Sequence, residues 1–113
     1  MALGKQLRVE AVRTLDYSGI SGSYAPVGSP STRPDGVLQF QNLTNASLMV
    51  SFDGIVDHFP LPANSYFVID VTTNQPFNVG GLYLSIGTQM YVKALSGSPS
   101  SGSMYITFYY GAD

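Results

Sequence analysis

Across 113 residues this chain carries 5 basic and 7 acidic side chains, 11% of its length, for a net charge of −2, where an ordinary soluble domain devotes about a quarter of its residues to charge. The length bounds it to one domain around one core, and the absence of cysteine excludes a disulfide framework, thiolate metal ligands and a thiol nucleophile. Ser, Thr, Gly, Asn and Tyr replace the missing charges, and a surface of that kind reads as one meant to be covered by neighbours, because mixed charge is what keeps most monomers apart.

The charge is also unevenly placed. Residues 1–33 hold Lys5, Arg8, Arg13 and Arg33 against Glu10 and Asp16, a balance of +2, while residues 34–113 hold Lys93 against Asp35, Asp53, Asp57, Asp70 and Asp113, a balance of −4. Four dispersed cations fall short of the dense basic stripe that neutralises a phosphate backbone, so nucleic acid is not the expected partner. No apolar run approaches the roughly 20 residues that span a bilayer, and the first seven residues lack a signal peptide's apolar stretch. The expectation is a protein made in a cytoplasm, with no membrane partner.

Helical periodicity is nearly absent, and short alternating segments recur between Gly, Pro, Asn, Asp and Ser clusters. In chain order, strands are expected over residues 5–14, more weakly over 20–27, then over 37–43 and 48–52. A short edge piece at 58–61 follows, since Pro60 and Pro62 each remove a ladder donor, and then strands at 66–71, 81–86, 88–95 and 103–110. Alternation places Leu48, Val50 and Phe52 on the core side of one strand, with Asp53-Gly54 turning the chain. In the last strand Met104, Ile106 and Phe108 form an inner face, and Tyr105, Thr107 and Tyr109 an outer one. Residues 28–36, with two Pro and two Gly, and the Ser/Gly-rich residues 96–102 read as loops. The expected fold is all-β: a small antiparallel β-sandwich or jelly roll of about eight strands. It forms a single domain over 1–113, with residues 1–15 as a first strand or an arm contacting neighbours.

Little in the sequence resembles a catalytic centre. His58 is the one histidine, and adjacent Asp57 points the opposite way on a strand, so His58 reads as a satisfied loop or edge residue. Residues 18–23 form a Ser/Gly turn without a nucleophile elbow. One His, no Cys and scattered Asp residues make neither a zinc set nor a calcium loop, and no Gly-rich segment has the spacing of a phosphate cradle. No enzyme activity, metal or cofactor is expected. Asn42-Leu43-Thr44 and Asn45-Ala46-Ser47 match a glycosylation acceptor by chance in a chain rich in these residues. The eight tyrosines suit interface or core-edge positions, giving contact area with a polar tip; the alternative is a sugar-stacking platform of Tyr83, Tyr91, Tyr105 and Tyr109.

The chain resembles small structural proteins of tailed bacteriophages, especially short-tailed ones. The resemblance lies in Val12-Arg13-Thr14-Leu15 running into residues 18–24, and in Phe40-Gln41-Asn42-Leu43-Thr44-Asn45 leading to Val50-Ser51-Phe52-Asp53-Gly54. Asp70-Val71-Thr72-Thr73-Asn74 and Gly87-Thr88-Gln89-Met90-Tyr91-Val92-Lys93 complete it, and the order of these blocks along residues 12–110 carries it. It implies a non-enzymatic virion component with a β-sandwich fold, assembled in the host bacterial cytoplasm. The first expectation is a capsid decoration, or cement, protein that bridges major capsid protein subunits as a homo-oligomer. A head-to-tail or tail adaptor, or a fibre base, is the alternative, and a host-glycan receptor-binding module a further one. Charge placement nominates Lys5, Arg8, Arg13 and Arg33 to face an acidic partner, with Tyr83, Tyr91, Tyr105 and Tyr109 as further contact residues.

Overall fold

A computed structural model describes residues 6–70 and 84–112 of the chain. The expected positions Lys5 and Tyr83, and most of the strand expected over 81–86, lie outside the described residues. Among the described residues nine strands follow in order: β1 (Gln6–Val9), β2 (Arg13–Asp16), β3 (Ala25–Pro26), β4 (Val37–Asn42), β5 (Leu48–Ser51), β6 (Phe59–Leu61), β7 (Ser65–Asp70), β8 (Tyr91–Ala94) and β9 (Ser103–Ala112). A 3₁₀ turn, Tyr17–Gly19, is capped by the Asp16 carboxylate, which accepts from the Ser18 backbone N–H.

Two antiparallel sheets face each other. One runs β1-β9-β4-β7, with β2 also pairing β9, and the other runs β3-β8-β5-β6. The first strand with the last, β3 with β8, β4 with β7 and β5 with β6 make four nested antiparallel pairs, which is a long hairpin rolled up into a jelly roll. This order brings the 27–36 loop beside the 84–90 segment, with Val27, Ser31 and Asp35 each donating a backbone N–H to it, to Met90, Thr88 and Leu84 respectively.

Alternation explains the core. Leu38 and Phe40 of β4, Leu48 and Val50 of β5, Val92 of β8 and Met104, Ile106 and Phe108 of β9 are all buried, the inward set that a period of two selects. Phe40 meets Phe59 edge-on at 5.4 Å, and Phe67 closes the cluster at 5.0 Å from Phe59, a favoured aromatic geometry. Asn42 continues the inward set of β4 and is fully buried. Its amide reaches the carbonyls of Ala46, Leu61 and Pro62 at 3.0–3.1 Å, and its Oδ1 accepts from the Thr44 N–H and hydroxyl. The polar side chain is thereby satisfied and ties two loops together at that end of the sandwich.

Three expectations need correction. The strand expected over 5–14 is broken in two, because the pairing of Val9 with Tyr109 and of Arg13 with Ile106 leaves one more residue on the first strand than on β9. Residues 10–12 therefore form a bulge, which reverses inward and outward positions after it. The strand expected over 20–27 shrinks to Ala25–Pro26, since Pro26 can extend pairing only at an edge. Within the described part of 81–86, Leu84 makes an isolated bridge to Asp35 in place of a strand.

Candidate docking face and the bulge pocket

The outer face of the five-stranded sheet presents rows set by register: Val9, Tyr109, Val37 and Asp70; then Thr107, Gln39 and Val68; then Thr14, Tyr105, Gln41 and Tyr66. Asp16 and Asp70, at opposite corners, are its charged residues among the described ones. Tyr66 is 71% exposed and Val9 56%, and the Tyr109 hydroxyl donates to Gln39 Oε1 at 3.1 Å. Tyrosine-rich and charge-depleted, the face has the composition of the middle of a protein interface.

Tyr105 and Tyr109 lie on this face, but Tyr91 lies on the other sheet, in β8, where its ring packs against Gly54. A Cβ at Gly54 would meet that ring at 3.2 Å, and the residue's φ of +76° suits only glycine. The aromatic platform weighed as the alternative for the tyrosines is therefore not formed as described: Tyr91 cannot share it with Tyr105 and Tyr109 across the thickness of a sandwich.

The bulge builds a second feature. In an unbroken strand, residues three apart point to opposite faces; the extra residue turns both Glu10 and Arg13 inward, where they pair at 2.9 Å with side chains only 5% and 6% exposed. Arg13 also donates to the carbonyls of Ala11, Ser29 and Pro30 at 2.7–3.0 Å and lies 4.9 Å over the Phe108 ring. Its expected role facing an acidic partner is corrected: the guanidinium is consumed inside the fold.

Beside this pair sits Asp35, fully buried. Neither of its carboxylate oxygens meets a hydrogen-bond donor, nor does Glu10 Oε2. Glu10 Oε1, by contrast, also accepts from the Thr32 N–H and hydroxyl at 3.1 Å. Burial pushes Asp35 up to about 7, reinforced by the neighbouring Glu10 carboxyl and opposed by the nearby Arg13 charge and Ser31 hydroxyl. Burial also pushes Glu10 upward, but the Thr32 N–H, the Asp35 carboxyl, the Thr32 hydroxyl and Arg13 together hold it below the ordinary glutamate value.

A surface pocket of about 600 Å³ opens above the bulge, lined among others by Glu10, Arg13, Ser29, Thr32, Arg33 and Tyr110. Arg33 lies 5.0 Å over the Tyr110 ring, and Arg8 pairs in register with Tyr110, its side chain donating to Gln6 Oε1 at 2.6 Å. Arg8 and Arg33 are exposed, and neither has a carboxylate partner among the described residues. Of the expected basic contacts that are described, these two are the exposed ones.

A third polar cluster lies on the other sheet. Lys93 pairs with Asp57 at 3.2 Å and lies 4.8 Å from the Tyr24 ring centre, and the Tyr24 hydroxyl donates to Asp57. Burial, then this hydrogen bond, pushes the Tyr24 phenol up to about 12. His58 is exposed, and its Nδ1 accepts from the Phe52 N–H at 3.0 Å, the satisfied edge position expected. Asp53, held down to about 2 by the Val56 and Ile55 N–H groups, shapes the same loop. Among the described residues no group of three or more His, Cys, Asp and Glu side chains could hold a metal ion, and no helix is long and apolar enough to cross a membrane.

Fold and site together define a small jelly-roll module whose clearest outward feature is a sheet face with few charges among the described residues. No protein family matches the chain, and no curated protein does. Among solved structures it is similar to a chain from Bacillus endospore appendages, described as a novel family of disulfide-linked pili, with 9% identity and a TM-score of 0.45 over 96% of this chain and 91% of that one.

Proposed function

We propose that this protein is a non-enzymatic structural component of a tailed-phage virion, a capsid decoration protein that attaches in many copies to the major capsid protein lattice. The observation that carries the reading is the outer face of β9 and β4, where Tyr105, Thr107, Tyr109, Gln39 and Gln41 form an uncharged centre in a chain that already has few charges. Burying such a face costs little desolvation, whereas burying unpaired charge is expensive. A ligand bound to the assembled shell stabilises it by mass action, which is what a cement protein contributes. The resemblance in sequence to phage structural proteins supports the same reading.

Mixing the purified protein with undecorated phage heads and sedimenting them tests it. Co-sedimentation at a fixed stoichiometry is expected; protein left in the supernatant while heads pellet alone overturns decoration, and binding confined to isolated connectors or tails moves the protein to the adaptor role. Thr107→Lys places a charge in the middle of the docking face without touching the core. It is expected to weaken attachment by at least about tenfold, the equivalent of roughly 1.4 kcal/mol, with unchanged melting.

Arg8 and Arg33 share the Tyr110 side of the sheet, turned away from the docking face, and add positive charge at its periphery. Rim charges act mainly on encounter rate and salt dependence, so Arg8→Glu combined with Arg33→Glu is expected to slow attachment and flatten its dependence on ionic strength, again without loss of fold. Identical association rates for the double variant and the parent across a salt series would remove these two charges from the account.

A further inference from the structure

We propose that Glu10 and Asp35 form a proton-operated latch between the first-strand bulge and the 27–36 loop: one proton shared by the two carboxyls closes it, and loss of that proton loosens it. The inference goes beyond the docking role and does not depend on it. Its basis is a charge count among buried side chains. Two buried carboxyls face one guanidinium, and as carboxylates they leave three oxygens with no donor. An uncompensated buried carboxylate is costly, while one proton brings the cluster to neutrality and supplies the missing donor, from Asp35 to Glu10. A carboxyl pair sharing one proton is the state that like charges in contact favour.

The groups facing the pair are few. The first strand contributes Glu10 and Arg13; the 27–36 loop contributes Asp35, the Thr32 hydroxyl and N–H, and Ser31, whose hydroxyl donates to the Ser85 carbonyl at 3.2 Å. From β9 come the Phe108 ring under Arg13 and the Tyr110 ring under Arg33. From the segment before β8 comes Leu84, which exchanges both backbone hydrogen bonds with Asp35 at 2.7 and 2.8 Å. Among the described residues no lysine or histidine touches the cluster.

The direction follows from which state holds the proton more tightly. Asp35 binds its proton more tightly in the closed state than in an opened one, where it returns to an ordinary aspartate, so closure is favoured at mildly acidic pH. It is progressively lost as pH rises from about 4 to about 7, where Asp35 titrates in the closed state. Above that range the loosening levels off. Glu10 has the opposite sign: its lowered value makes its contribution present above the ordinary glutamate range and lost at stronger acid. The latch is therefore tightest between these limits, and what it loosens on opening is the anchorage of β1, an edge strand exposed along its whole length.

Backbone hydrogen exchange on the full chain, with a ¹³C titration of its side-chain carboxyls, tests the latch. Expected is an Asp35 midpoint near neutrality. The amides of Glu10, Thr32, Asp35 and Leu84 should lose protection by about tenfold per pH unit between pH 5 and 7, beyond intrinsic base catalysis, as linkage to one proton requires. Asp35→Asn, which donates to Glu10 without titrating, is expected to abolish that extra pH dependence. An Asp35 midpoint in the ordinary carboxylate range, or the same extra loss in Asp35→Asn, overturns the proposal; should the variant fail to fold, the titration of the native chain decides alone.

Discussion

Val50→Asp will not fold at neutral pH. Val50 is completely buried and pairs with Val92 on one side and Phe59 on the other, with the Phe40–Phe59–Phe67 cluster beyond. A carboxylate there meets no donor. The effective cost of an unpaired buried ion is several kcal/mol, comparable with the whole stability of about 5–15 kcal/mol that a domain has to spend. The control is one residue away. Met49→Asp places the same carboxylate on the outward side of β5, in register with Lys93, and is expected to melt cooperatively close to the parent. Circular dichroism melts of the two variants check the pair, and a cooperatively melting Val50→Asp would contradict the facing assigned to β5.

Arg13→Ala is expected to destabilise the protein by about 3–5 kcal/mol, the range for removing one partner of a buried ion pair. The guanidinium holds Glu10 and three backbone carbonyls, and without it Glu10 and Asp35 face each other unneutralised. Arg13→Lys should recover only part of the loss, because an ammonium lacks the planar fork that serves several acceptors at once. The defect should shrink in mild acid, where Asp35 holds a proton and the pair carries one negative charge instead of two. Were Arg13 a surface contact, Arg13→Ala would leave melting unchanged and weaken only attachment; urea unfolding at pH 5 and pH 7.5 separates the two outcomes.

These experiments bear on different links in the chain from sequence to function. The facing of β5 and β9 was legible from alternation, because an antiparallel strand with one wet side must write its burial into every second residue. The uncharged centre of the outer face was legible for the same reason: Tyr105, Thr107 and Tyr109 alternate with Met104, Ile106 and Phe108. What was not legible was which strands would be neighbours. Tyr91 has the same local look as Tyr109, yet it belongs to the opposite sheet, since sheet membership in a rolled hairpin is set by long-range pairing.

The bulge cluster lay further out of reach. Glu10 and Arg13 are three apart, a spacing that regular strand geometry assigns to opposite faces, and Asp35 stands between Pro34 and Gly36 in a segment that reads as a surface loop. Only the mismatch of one residue between the first strand and β9 turns both partners inward, and only the bridge to Leu84 draws Asp35 beneath the surface.

By itself, then, the amino-acid sequence determined an all-β sandwich, the inward and outward sides of β5 and β9, and an exterior poor in charge. These are properties of local periodicity and composition. Tertiary structure alone decided the jelly-roll order, the separation of the tyrosines onto two sheets, and the burial of Arg13 and Asp35. Each depends on register between distant segments, and a shift of one residue in register inverts every side chain that follows.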